Sequence, residues 1–351
     1  MLRALSQSNP RNRWEAANRE YDLGERPRTA LQVFEDDSRS VVASNDSPDV
    51  PFRYSLNPYR GCAHGCAYCY ARPSHEYLGF GSGTDFERKL VAKPRAAELL
   101  RAHFEKPSWA GELLVLSGVT DCYQPLEAEL ELTRQCLEVC AEYRNPVHII
   151  TKSALIERDI ELLTRLHERA SVGVSVSVTF WDAAAARAIE PYAPAPRRRI
   201  ETIRRLTAAG IPVLLHIAPL IPGLADRDVI PILEAAREAG ARSAIYTQLR
   251  LPGSVAEVFE QRLREAFPER AEKVLSRIRE MRGGRLNDSR FHERMRGEGE
   301  YAASVDAMFR ATLRRLGYEK FREPRTGTFQ RPSQAKQLDL FGSSLAERRH
   351  P

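Results

Sequence analysis

Cys62, Cys66 and Cys69 lie within eight positions of one another, in the stretch NPYRGCAHGCAYCYARPSH (57–75), with the spacing C-x3-C-x2-C. Clustered thiolates bind a soft metal or an iron–sulfur cluster, because each sulfur reaches a common centre only when the backbone folds tightly around it. Gly61 and Gly65 permit that folding. Two metal chemistries fit the pattern. A structural zinc site wants four protein ligands and would recruit His64 or His75 as the fourth. A cubane cluster has four irons, so three cysteines leave one iron free to bind something else.

The remaining cysteines carry other expectations. Cys136 and Cys140 stand at i and i+4 on a helical stretch beside Leu132 and Tyr143, and read as core. Cys122 is open to two readings, a reactive thiol or a buried structural one. Six cysteines in 351 residues are too sparse for a disulfide scaffold, and a reducing compartment keeps them available as ligands. With 42% hydrophobic and 28% charged residues there is no apolar run able to cross a bilayer, and the start of the chain lacks the layout of a secretory signal. A soluble, cytoplasmic protein with no membrane partner is expected. The net charge of +6 suits a nucleic-acid or phosphate-bearing partner but by itself moves the reading little.

The elements that must position these residues follow one pattern. From about residue 51, short β-branched runs alternate with amphipathic helical stretches, as in βαβ units around a parallel sheet. The strand stretches 111–121, 146–154, 171–180, 211–223 and 241–251 precede helices over 126–143, 158–168, 197–209, 226–239 and 255–266. A strand at 52–58 and a helix beginning near Pro94 bring the count to about six units. The expected fold is α/β, a partial (β/α)6 barrel of the TIM type, although a doubly wound open sheet shares the local pattern. Around this core, 1–50 reads as a flexible arm, 51–267 as the barrel, 268–321 as a basic helical extension and 322–351 as a disordered tail.

The loop GCAHGCAYCYARPSH, together with TDCYQPLE (120–127) and ITKSALIERDIELL (150–163), resembles the radical S-adenosylmethionine (SAM) superfamily. Within it the likeness is to the branch of spore photoproduct lyase and relatives labelled DNA repair photolyases, over roughly residues 51–250. The resemblance implies a 4Fe–4S cluster on Cys62, Cys66 and Cys69, and SAM on the open iron. It implies reductive cleavage of SAM to a 5′-deoxyadenosyl radical, with an electron donor such as flavodoxin or ferredoxin. It also implies that Ser117, Gly118, Thr120 and Asp121 contact the SAM amino group, that Thr151 and Lys152 serve its carboxylate, and that Tyr68 lies against adenine. Ser175 and Ser177, sharing one strand face, would meet ribose or carboxylate oxygens, while His216, Pro219 and Gln248 would edge the adenosine. Tyr70 would shield or relay the radical. The branch uses a hydrogen-donor cysteine near the end of the second strand; the matching position here is Gly118, and Cys122, four residues on, is the candidate to fill that role.

Two outlying features bear on partners. The run from Arg279 to Arg296 sets Arg282, Arg285, Arg290, Arg294 and Arg296 around Gly283 and Gly284, with Phe291 and His292 interleaved, and suits either a phosphate backbone or a solvated face. In the polar tail, Gln337, Leu338, Asp339, Leu340 and Phe341 spell QLDLF, which closely resembles the peptide that binds the bacterial sliding clamp. The leading expectation is a radical SAM enzyme that repairs or modifies DNA, lyase-like. A radical SAM enzyme acting on RNA or a protein side chain, and a non-catalytic metal-binding DNA module, are the alternatives.

Overall fold

The computed structural model describes residues 30–322 and 324–332. Among them ten strands form, β1 Gln32–Glu35, β2 Val42–Ser44, β3 Tyr54–Leu56, β4 Tyr59–Arg60, β5 Lys89–Ala92, β6 Leu114–Leu116, β7 Val147–Thr151, β8 Val172–Ser177, β9 Val213–Leu220 and β10 Ser243–Gln248. Seven make one sheet in the order β10-β9-β8-β7-β6-β3-β2. From β3 to β10 its six strands are parallel and each lies beside the next in chain order; β2 alone is antiparallel, at the edge. A doubly wound sheet reverses its order at a switch point. No reversal occurs here, so the six βα units wind one way and stop short of closure, which settles the fold as a partial barrel.

Side-chain alternation explains why β8 is so fully buried. Val174 and Val176 enter the main core, against the helices Ile160–Arg169 and Pro196–Ala208, and Ser175 and Ser177 share the opposite face. Helix Val229–Glu238 stops at Gly240, whose φ of +100° and whose approach to Thr207 both demand the missing side chain. The helix expected over 126–143 is two: Glu131, at φ +52°, separates Glu127–Leu130 from Leu132–Glu142. The break frees the buried Glu127 carboxylate to accept from the N–H groups of Thr133 (2.9 Å) and Arg134 (3.2 Å), satisfying the first turn of the second helix.

Both ends of the chain differ from expectation. The stretch 1–50 is built into the domain from residue 30, because β1 pairs with β5 and β2 with β3 along backbone edges that otherwise stay unpaired. Residues 324–332 of the supposed disordered tail are docked. Phe329 packs on Phe104 and Tyr143, with ring centroids 5.7 and 6.1 Å away. Arg331 donates to the carbonyls of Phe104 (3.1 Å) and Lys106 (2.7 Å), and the Gln330 N–H to that of Tyr143 (2.9 Å). The QLDLF peptide lies outside the described residues. Between barrel and tail, helices Pro268–Glu280 and Gly299–Arg315 form the basic extension, and Phe309 of the latter covers Tyr246 of β10 at 4.7 Å. No helix among the described residues is long and apolar enough to cross a membrane.

Candidate active site

The cysteine loop leaves the C-terminal end of β3, where sites on barrels of this kind assemble. Cys62 and Cys66 are buried and Cys69 is half-buried. Gly61 takes φ +74° there, and a side chain on it would meet the Phe86 carbonyl at 2.8 Å. Burial pushes all three thiols up. Cys66 rises to about 12, with Glu190 adding to burial while Lys152 and Arg199 oppose it. For Cys62 burial is followed by Asp121, Cys66 and Cys69, and for Cys69 burial is opposed by Arg72 and Lys152. All three thiols are free, on one loop, and a metal centre bound there would take their protons.

Two buried side chains that sequence reasoning missed hold this loop. Arg72, with no exposed surface, donates to the carbonyls of Cys66, Gly65, Ser82 and Gly83 and pairs with Glu87 at 2.6 Å. Gln124, equally buried, accepts from the Ala63 N–H (2.9 Å) and donates to the Gly61 carbonyl (3.1 Å). The loop's polar backbone is thus satisfied from behind, which leaves its sulfurs as the groups able to hold a metal. Arg72 stands in the quoted loop and Gln124 in TDCYQPLE; position in those motifs was the available signal, but neither residue type announces a loop brace.

The histidines do not complete a four-ligand zinc cage. His75 turns Nε2 to the Lys89 carbonyl (2.8 Å) and packs on Phe80 and Phe86, while His64 Nδ1 stands 3.4 Å from Asp121 Oδ2. Among the described residues no three of His, Cys, Asp or Glu converge on one point as the ligands of a single ion would. Three cysteines without a fourth ligand fit a 4Fe–4S cluster with one open iron.

Several expected site residues meet beside the loop. Asp121 accepts from the Thr151 hydroxyl (2.7 Å) and from the N–H groups of Lys152 (2.8 Å) and Tyr123 (3.0 Å). Burial alone would raise its carboxyl, but His64, Lys152 and Thr151 hold it below the usual range. These bonds tie the loop after β6 to the end of β7. Lys152 reaches the Ala218 carbonyl (3.2 Å) and stands 5.7 Å from the Tyr68 ring centroid. Tyr68 is buried, its hydroxyl donating to Glu190, which pairs with buried Arg199. Tyr70, beside Cys69, is 49% exposed and donates to the Gly118 carbonyl at 2.5 Å.

Other candidates are placed elsewhere. Cys122 is fully buried in the main core, with its N–H given to Ser117 Oγ (2.8 Å) and its carbonyl taken by Thr133. Its thiol has no exposed surface in this structure, in the same core cluster as Cys66 and Tyr68. Thr120 turns inward to Asn57 and Tyr59. Ser175 is bonded to His148 (2.7 Å) inside the barrel, Ser177 is buried with its carbonyl on Arg199, and His216 meets Thr247 (2.9 Å). Gln248, at the end of β10, is buried with both amide atoms lacking a hydrogen-bond partner, a pair that a polar ligand at the mouth would satisfy.

The basic run is also sorted by the structure. Arg282 is buried and braces the carbonyls of Leu249 (2.8 Å) and Glu293 (2.9 Å); Arg290 pairs with Asp288 and Glu298, and Arg294 with Asp49. Of the five, Arg285 and Arg296 stand exposed and outside the ion pairs among the described residues.

Comparison with known proteins agrees with this geometry. An uncharacterized protein of Mycobacterium tuberculosis is 37% identical over 234 residues, 66% of this chain and 68% of that one. Another, from Methanocaldococcus jannaschii, is 30% identical over 178 residues, 51% of this chain and 64% of that one. In fold the chain is similar to spore photoproduct lyase complexed with dinucleoside spore photoproduct, with a TM-score of 0.58 at 16% identity over 82% of this chain and 80% of that one. The family model of the radical SAM superfamily matches residues 56–236, from the end of β3 through the cysteine loop and into the helix after β9. The stretch that builds the site is the stretch that assigns it, and the protein belongs to the radical SAM superfamily.

Proposed function

We propose that the protein is a DNA-directed member of this superfamily, repairing or modifying a nucleotide in the manner of a photoproduct lyase. The observation that carries the reading is the rim beside the cysteines. Tyr70, next to Cys69, offers an exposed aromatic ring, and the Arg250 guanidinium stands 5.9 Å from its centroid. An aromatic face and a fixed cation suit a substrate built of planar bases and phosphates. The likeness in fold to spore photoproduct lyase supports the same reading.

Members of the superfamily use a 4Fe–4S cluster and SAM, which together supply reductive cleavage to a 5′-deoxyadenosyl radical. Cys62, Cys66 and Cys69 would hold the cluster. Lys152 would offer its ammonium to the SAM carboxylate and Gln248 its unpartnered amide to the adenosine, while buried Tyr68, fixed by Glu190, closes the floor against water. Tyr70 would stand between the cluster loop and the substrate. A base must leave its stack to reach a barrel mouth, so local unpairing accompanies binding. A small electron donor such as flavodoxin or ferredoxin would reduce the cluster in the cytoplasm, and QLDLF would recruit the enzyme to the sliding clamp.

The test is anaerobic incubation of the reconstituted protein with SAM, reductant and ultraviolet-damaged DNA, read by mass spectrometry. The expected result is 5′-deoxyadenosine together with loss of a lesion or a changed nucleotide. 5′-Deoxyadenosine formation with no change in any DNA, but with a changed RNA or protein side chain, would overturn the DNA reading.

A further inference from the structure

Beyond the reacting groups, the rim continues as two guanidinium groups set between two rings. Phe291 is 53% exposed, and the Arg294 guanidinium lies 4.5 Å from its ring centroid. Arg250 follows, lying against Met295, the residue next to Arg294. Its Nη1 touches Met295 Sδ at 3.6 Å and its Nε is buried with no hydrogen-bond partner. Beyond Arg250 comes the exposed ring of Tyr70, held to Gly118 and followed by Val119, 41% exposed.

The segment that carries Phe291 is pinned at two ends. On one side the Gln248 N–H donates to the Met295 carbonyl (3.0 Å) and Arg282 to that of Leu249 (2.8 Å), fixing the segment to the end of edge strand β10. On the other, Asp49 accepts from the His292 N–H (2.6 Å) and pairs with Arg294, whose Nη2 also donates to Ser47 Oγ (2.5 Å). Ser47 and Asp49 follow β2, the opposite edge strand. One segment therefore spans the two edges that the partial barrel leaves apart, and it presents an exposed ring at a fixed place.

A lone exposed phenylalanine needs no explanation. This one lies against the Arg294 guanidinium on a segment that also touches Arg250, itself near a second exposed ring, Tyr70, and the segment carries further exposed arginines, Arg285 and Arg296. Bases in a duplex hide their faces, whereas an unpaired strand offers them, and single-strand binders combine aromatic platforms with a positive track for this reason. We infer that the Phe291–Arg294–Arg250–Tyr70 rim is a stacking platform for the unpaired strand that flanks the reacting nucleotide, an inference that rests on the proposed DNA substrate. Phe291 takes a base face, and Arg250, which has no carboxylate partner in the ion pairs among the described residues, holds a phosphate beside it.

The experiment is fluorescence anisotropy of the full chain with a labelled single-stranded DNA 12-mer, the matching duplex and a single-stranded RNA of the same sequence, over a range of salt. Phe291→Ala is expected to weaken single-strand DNA binding roughly five-fold or more, since stacking is worth about 1–3 kcal/mol per base. Phe291→Trp should keep the affinity, and the salt dependence should be unchanged in both variants because no phosphate contact is lost. Thermal unfolding of Phe291→Ala and its SAM cleavage without nucleic acid serve as controls and should match the parent. Equal single-strand binding by Phe291→Ala, or a duplex bound as tightly as the single strand, overturns the platform. RNA bound more tightly than DNA with the same dependence on Phe291 supports the platform and overturns the DNA reading instead.

Discussion

Arg72 Nη2 and Glu87 Oε1 meet at 2.6 Å, with no surface of Arg72 and only 6% of the Glu87 side chain exposed. The pair lies behind the cysteine loop, and the same guanidinium serves four carbonyls of the segments on either side. Replacing one partner leaves the other charged and buried. Arg72→Met should therefore cost about 3–5 kcal/mol in urea unfolding and lower the iron bound after anaerobic reconstitution. Arg72→Lys should fail nearly as badly, because one ammonium cannot replace the planar fork. Iron content equal to the parent's in both variants would show that the loop stands without its brace.

Gln124 makes the second brace from the opposite side. Gln124→Leu should leave the Ala63 N–H and the Gly61 carbonyl without partners, at about 1–3 kcal/mol, and speed iron loss to a chelator while far-ultraviolet circular dichroism stays unchanged. Unaltered chelation kinetics would remove Gln124 from the site's support.

The buried position of Cys122 makes a sharp expectation. Cys122→Ala should lower stability by about 1–2 kcal/mol, through a small cavity, and leave SAM cleavage and product identity intact. A stable variant that cleaves SAM but diverts the substrate to side products would reinstate the hydrogen-donor role.

His148 lies inside the barrel, bonded to Ser175 and covered by Phe321 with ring centroids 5.6 Å apart, and burial lowers its pKa to about 4. His216 is lowered to about 3 by burial, then by Lys152 and His148. The unfolded chain takes up protons on these rings near pH 6.5 and the folded one does not until near 4. Stability is therefore full above pH 6.5 and falls as the pH drops below it, by roughly 1.4 kcal/mol per unit for His148, or about 3 kcal/mol in all. Urea midpoints measured between pH 7.5 and 5 should show this slope, and His148→Gln should flatten it, leaving the share due to His216. An unchanged slope would mean that another group governs the acid limb.

The segment 324–332 docks through Phe329 and Arg331, and QLDLF follows it in the sequence. Changing Leu340 and Phe341 to Ala should abolish pull-down by the sliding clamp while SAM cleavage is unaffected. Clamp binding that survives the change would remove the tail from the argument.

Much of this protein was decided by local sequence. The cysteine spacing, with glycines that let the backbone turn, narrows the metal chemistry to zinc or an iron–sulfur cluster, because ligation depends on neighbours a few residues apart. Alternating apolar and polar positions give the βα units: the helix expected over 255–266 is the observed Val255–Ala266, and the serines and valines of β8 divide between faces as a strand requires. Other features were settled only in three dimensions. The sequential strand order separates a partial barrel from a doubly wound sheet, a distinction of pairing between distant segments on which local periodicity is silent. Arg72 and Gln124 read as ordinary polar residues until folding buries them against loop carbonyls that need partners. Cys122, open to two readings in the sequence, is fully buried in the fold, and Asp121, expected to face a ligand, also accepts from Thr151, Lys152 and Tyr123. Phe291 likewise became part of the rim only when Asp49, more than two hundred residues earlier in the chain, accepted its neighbours' hydrogen bonds. Spacing along the chain governs which atoms can share a metal, whereas burial and long-range hydrogen bonding govern which side chains remain available to a ligand.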